Sequence, residues 1–157
     1  MTIEIEGKPV EAYHLIMKKE NALDIINGKK KVEIRTFSDK YLSMFIDNEK
    51  YKVYQEKMKD PNFQFYDDEG VSEFDKTIRT DIKYIYFTNY NKTWNLVAKI
   101  HSFYTCSMIK DDIEFLAENF DFHDYDNEWQ QFEGKDIDDI PAFFAIYIDK
   151  VVKYEGI

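Results

Sequence analysis

Apolar residues recur at every second position in five or six stretches of this chain and at every third or fourth in three others. The pattern predicts strands interspersed with short helices. A leading strand or arm covers residues 1–12 and breaks at Gly7-Lys8-Pro9, and Tyr13–Lys18 reads as the first core strand. Residues 20–27 form a short helix with Ala22, Leu23, Ile25 and Ile26 on one side. Gly28 ends it, because a left-handed backbone costs glycine little. From Lys31 the period changes to two, with Val32, Ile34 and Thr36 on one face and Glu33, Arg35 and Phe37 on the other. After a turn at Ser38-Asp39, Tyr41–Ile46 reads as a short strand. Residues 47–59 read as a helix capped by Asp47 or Asn48 and stopped by Pro61.

Residues 61–80 show no regular period and read as a long loop with a helical turn near Ser72–Lys76. Its Phe63, Phe65 and Tyr66 are expected to pack on the core, base stacking being the other use of such side chains. A hairpin follows, Asp81–Tyr90 and Thr93–Thr105 about a turn at Asn91-Lys92. Ser107 is expected to cap a helix through Asn119, with Ile109, Ile113, Leu116, Ala117 and Phe120 as its apolar stripe. Residues 121–140 are an acidic, aromatic-dotted connection. Pro141 then opens a last strand, Ala142–Tyr154. Several strands, mostly hairpin-connected, with about three peripheral helices argue for a single α+β domain over residues 1–157, built on a small curved sheet or barrel.

Composition sets limits on function. A hydrophobic fraction of 44% with 17% aromatics excludes a disordered chain. One cysteine, Cys106, excludes an intrachain disulfide framework and suits a reducing compartment; it reads as a packed strand-end residue. The N-terminus carries neither a basic region nor an apolar run, so the expectation is a cytoplasmic protein without membrane contact. The net charge of −10 is uneven. Residues 107–150 hold three basic against thirteen acidic side chains, while the rest balances at 18 of each. A sequence-blind grip on a long phosphate backbone is therefore disfavoured for the whole surface, and a local basic site near Lys29, Lys30, Lys31, Arg35 and Lys40 is not. His14, His101 and His123 are far apart in sequence, and the glycines are scattered. No metal, cofactor or phosphate-loop signature emerges.

The candidate chemistry lies in Gly28-Lys-Lys-Lys-Val-Glu-Ile-Arg35. Lys30 leaves the helix end, and Glu33 and Arg35 share one strand face, so a carboxylate and two cations converge as a polar anchor for an anionic or base-like ligand. The same residues also suit a solvated strand with a same-face ion pair. Gly28-x-Lys30-x-x-Glu33-x-Arg35 resembles the signature of the ASCH (activating signal cointegrator homology) domain, of the PUA-like superfamily. His14–Lys18 and the Ala22–Asn27 helix stand where that family would have them. The resemblance is close over about residues 13–40 and elsewhere rests on element order.

The resemblance implies a PUA-like barrel that binds RNA or a nucleotide-like ligand, with Lys30, Glu33, Arg35, Lys29 and Lys99 as ligand-binding residues. It also implies a hydrolytic alternative. Some members are amidohydrolases on acylated cytidine, using the motif lysine, a threonine three residues on and a later-strand glutamate, and others cleave RNA. Here Lys30 is kept, Glu33 replaces the threonine, and Lys99 falls where the later glutamate would be. As an enzyme, the chain would use Lys30 with Glu33 as base or nucleophile and proton carrier. A third class is a protein-interaction module using the acidic 107–150 surface for a basic partner.

Overall fold

The computed structural model describes residues 1–157. Six strands form one mixed sheet: β1 (Thr2–Ile5), β2 (Lys8–Ile16), β3 (Val32–Thr36), β4 (Tyr84–Thr88), β5 (Asn95–Ser107) and β6 (Ala142–Glu155), in the spatial order β1-β2-β4-β5-β6-β3. All pairings are antiparallel except β2 with β4. Four helices complete the α+β domain: α1 (Lys19–Ile26), α2 (Asp39–Phe45), α3 (Asn48–Met58) and α4 (Lys110–Phe120). None is long and apolar enough to cross a membrane.

The sheet does not close into the expected barrel. Closure requires a ladder between the end strands, but β1 and β3 terminate the sheet and β3 pairs only with β6. The long β5–β6 pair, with register shifts beside Val97, Lys99 and Ile100, coils the centre of the sheet. Its inner face carries the main core, in which Tyr13 and Leu15 of β2, Ile85 and Phe87 of β4, Leu96, Ala98 and Ile100 of β5, and Phe144, Ile146 and Ile148 of β6 meet Phe45 of α2. Burying each large side chain of this kind stabilises the fold by about 1.5–3 kcal/mol. The opposite face of β3, β5 and β6 packs on α4, where Val32, Cys106, Phe143 and Ala145 meet Ile113, Leu116 and Phe120.

Several expected elements change. Residues 1–12 take the strand alternative, but the break falls at Glu6-Gly7, both at positive φ, which turn β1 straight into β2 so that Lys8 and Pro9 lie inside a strand. Pro9 is tolerated inside β2 for a topological reason. The Ala12 amide, which bonds Met1, shows that even-numbered residues face β1, so the N–H that Pro9 lacks would point away from β1, where β4 does not begin pairing until Ala12. Residues 39–45 are helical, not extended; the Ser38 hydroxyl caps them by accepting from the Tyr41 amide. Ser107 is not the cap of α4 but the end of β5, and its amide donates to Asp112 Oδ2 at 2.7 Å.

Candidate functional site

The site is assembled by the exit from α1. Gly28 has φ +76°, as the helix ending requires, and the Asp24 carbonyl accepts from both the Lys29 and Lys30 amides at 2.9 and 3.0 Å. The chain thereby reverses, and the Lys31 carbonyl accepts from Ile148 at 3.0 Å as β3 joins β6. The strand then sorts its side chains. Val32 and Ile34 turn to the α4 face, while Glu33 and Arg35, paired with Ile146 and Phe144, turn to the main-core face.

Glu33 is therefore a buried acid between two cations. Its side chain is only 8% exposed, with Oε1 lying 3.7 Å from Lys30 Nζ and 3.8 Å from Arg35 Nε. Glu33 Oε2 and Arg35 Nε are buried without a hydrogen-bond partner. A carboxylate held this way would be costly if unpaired, and the flanking cations offset that cost. The other two nitrogens of the Arg35 guanidinium are committed: Nη1 donates to Tyr41 Oη at 2.8 Å and Nη2 to the Ile16 carbonyl at 2.9 Å. The guanidinium also lies 5.5 Å from the Tyr41 ring centre, and the Lys40 ammonium 5.4 Å from it. Lys30, half-buried and free of hydrogen bonds to other side chains beyond its Glu33 pairing, is the more available cation.

Lys30, Glu33 and Arg35 thus come together. Lys29 is exposed and stands apart from the Glu33 carboxylate, on a cleft of about 150 Å³ where Lys29, Lys30 and Lys31 oppose Asp24, Asp121 and Asp124. Lys99 is not brought to the group. Its neighbours Ala98 and Ile100 fill the main core, so Lys99 points to the other face of β5, in register with Tyr84 and Lys150. Tyr41 and the Ile16 carbonyl belong to the cluster and were not expected there. The helical spacing of Tyr41, Leu42 and Phe45 behind Ser38-Asp39 was the available signal for α2, and with α2 in place Tyr41 stands within reach of Arg35.

The loop aromatics lie elsewhere. Phe63 packs edge-on against Tyr54 and Phe65, but Phe65 and Tyr66 are largely exposed instead of buried in the core. Phe63 and Tyr66 line an open groove of about 610 Å³ with Glu56, Asp60, Asp67 and Glu73, and no motif residue reaches it. Cys106 is buried, and burial, with Asp112 and Asp75 nearby, pushes its thiol up to about 12, far from a thiolate nucleophile. His123 bonds Asp121 Oδ1 at 2.8 Å and Asp126 Oδ2 at 3.0 Å, and these hydrogen bonds raise its pKa. No group of three or more His, Cys, Asp or Glu is arranged to hold a metal ion. The chain matches no protein-family model, no curated protein and no solved structure.

Proposed function

We propose that this is a cytoplasmic, ASCH-type, PUA-like domain that binds RNA or a nucleotide-like ligand at the Gly28–Arg35 face. The observation that carries the reading is Glu33: a buried carboxylate between Lys30 and Arg35 with Oε2 unpartnered. A buried acceptor without a partner costs about 1–3 kcal/mol, which a ligand N–H or O–H donor would recover by entering past Lys30, the more exposed of the two flanking cations. The amino group on a nucleobase edge is such a donor, and Lys30 Nζ can meet a phosphate or a base acceptor beside it. Arg35 serves by fixing the face, because its Nη atoms are taken up by Tyr41 and Ile16.

The test is fluorescence anisotropy of labelled single-stranded RNA and of a labelled mononucleotide, at low and moderate salt, against wild type, Lys30→Ala and Glu33→Gln. Wild type binds one of the probes, and each substitution weakens it by about 1–3 kcal/mol, as expected for charge-assisted contacts. Absence of wild-type binding at low salt rejects the reading.

The Lys30–Glu33 pair at 3.7 Å also favours a second reading, a hydrolase on acylated cytidine or RNA with Lys30 as the catalytic residue and Glu33 as its proton partner. Turnover of acylated cytidine or of RNA that disappears in Lys30→Ala identifies it, whereas a binding domain returns the ligand intact.

A further inference from the structure

The hairpin joining β4 to β5 is held rigidly from within. Asn89 Nδ2 donates to Thr93 Oγ1 at 2.6 Å, the Thr93 amide donates back to Asn89 Oδ1 at 2.8 Å, and the Lys92 amide reaches the Asn89 carbonyl at 3.2 Å. Lys92 sits at φ +56°, a left-handed conformation uncommon for a side chain of its kind. Tyr90 projects from this frame and is 84% exposed, more than any other large hydrophobic side chain of the protein. A tyrosine left so fully in water contributes almost nothing to the core, yet its ring is held out on an ordered tip.

The tip itself carries one cation, Lys92, although the protein as a whole is acidic, and Glu155 of β6 pairs with Asn95 at the hairpin base. Thr88, where β4 enters the hairpin, is hydrogen bonded to His14 Nε2 at 2.7 Å, and its carbonyl accepts from the Met17 amide at 2.9 Å. Lys92 and Lys40 both lie close enough to His14 to add to the effect of burial in lowering its pKa. Lys40 in turn rests on the Tyr41 ring that receives Arg35. Arg35 Nη2 bonds the Ile16 carbonyl, Ile16 pairs with Thr88, and Thr88 leads into the hairpin, so the motif strand and the tip are joined through β2; residues 89–93 include no acidic side chain. Basic groups interleaved with exposed aromatic faces are the means by which proteins follow single strands, the cations tracking phosphates and the rings stacking bases.

We propose that the β4–β5 hairpin tip is a second contact for single-stranded RNA, with a base stacked on Tyr90 and the backbone passing Lys92 and Lys40 on its way from the motif face. The inference rests on the binding function proposed above and extends it from a single pocketed residue to a strand of several nucleotides. A rigid tip favours such a contact because little conformational freedom is lost when a base settles on it.

The test uses the intact protein and two labelled probes, a dinucleotide and an oligouridylate of roughly twelve residues, long enough to pass from one contact to the other. Wild type, Tyr90→Ala, Tyr90→Phe, Lys92→Ala and Lys30→Ala are compared by anisotropy, with circular dichroism confirming the fold. The expected result is that Tyr90→Ala weakens the long probe about ten- to a hundredfold, that Tyr90→Phe restores it, and that the dinucleotide is unaffected by either. Lys92→Ala lowers the salt dependence of the long probe. If Lys30→Ala weakens binding while Tyr90→Ala leaves the long probe unchanged, this inference is overturned and the motif-face function stands. If wild type binds neither probe, both fall together.

Discussion

Arg35 on β3 donates through Nη2 to the backbone carbonyl of Ile16 at the end of β2, at 2.9 Å. These strands lie on opposite sides of the sheet order and share no ladder, so a side chain makes the link that a closed barrel would make with backbone. The same guanidinium bonds Tyr41 and faces Glu33, which makes Arg35 the residue where the fold and the candidate site depend on each other.

Replacing Arg35 should therefore damage stability before it damages binding. Arg35→Ala leaves Glu33 with one cation and strips the Tyr41 hydroxyl and Ile16 carbonyl of their donor. The expected loss is about 3 kcal/mol or more, the range for breaking one side of a buried pair. Urea denaturation reads it directly. A loss below about 1 kcal/mol would show that the link to Ile16 is incidental.

Gly28→Ala tests the helix exit. No atom lies within 4 Å of where the new Cβ would sit, so the whole penalty comes from φ +76°. A destabilisation of about 1 kcal/mol is expected. Since Lys29 and Lys30 take their position from this turn, the same variant should also weaken the ligand, read by the anisotropy assay beside the denaturation curve.

The pH dependence of stability should carry the signature of Asp75. This acid, in the 3-10 turn Asp75–Thr77, accepts a hydrogen bond from the Thr105 hydroxyl, and burial raises its pKa, with the Asp112 carboxylate adding to the rise. An acid raised on folding favours the folded state when protonated. Its contribution is present below the unfolded value near 3.8 and is lost as pH climbs through the higher folded value. Asp75→Asn keeps an acceptor for Thr105 and removes the charge. It should raise the melting temperature at neutral pH by about 2–4 °C for each kcal/mol recovered, with the advantage over wild type shrinking below pH ~4. An advantage that grows on acidification would reverse the assignment.

Cys106 should be inert in the folded protein. It is buried, and its thiol is pushed up to about 12. A thiol-specific reagent at neutral pH should label the protein only in denaturant, at a rate tracking unfolding. Rapid native-state labelling would contradict the packing of β5 on α4.

The elements whose causes are local were legible along the chain. Gly28 had to end α1 because the backbone turns left-handed there. The two-residue alternation over 32–36 had to separate Val32 and Ile34 from Glu33 and Arg35, whichever strand lay alongside. Asp47 capping α3 and the hairpin before β5 were legible for the same reason. Where local signals competed, the reading failed: Tyr41–Ile46 satisfies an alternating pattern as well as a helical one, and Ser38 resolved it by capping. The long-range choices were decided only by the tertiary structure. Nothing local states that β2 lies parallel to β4, that β3 pairs with β6, or that the sheet stays open, because those pairings join segments separated by whole elements. The site depends on the same choices. Burial of Glu33 comes from β3 joining β6, Arg35 is held by Ile16 and Tyr41 from two other elements, and Lys99 faces away because its neighbours Ala98 and Ile100 were taken into the core.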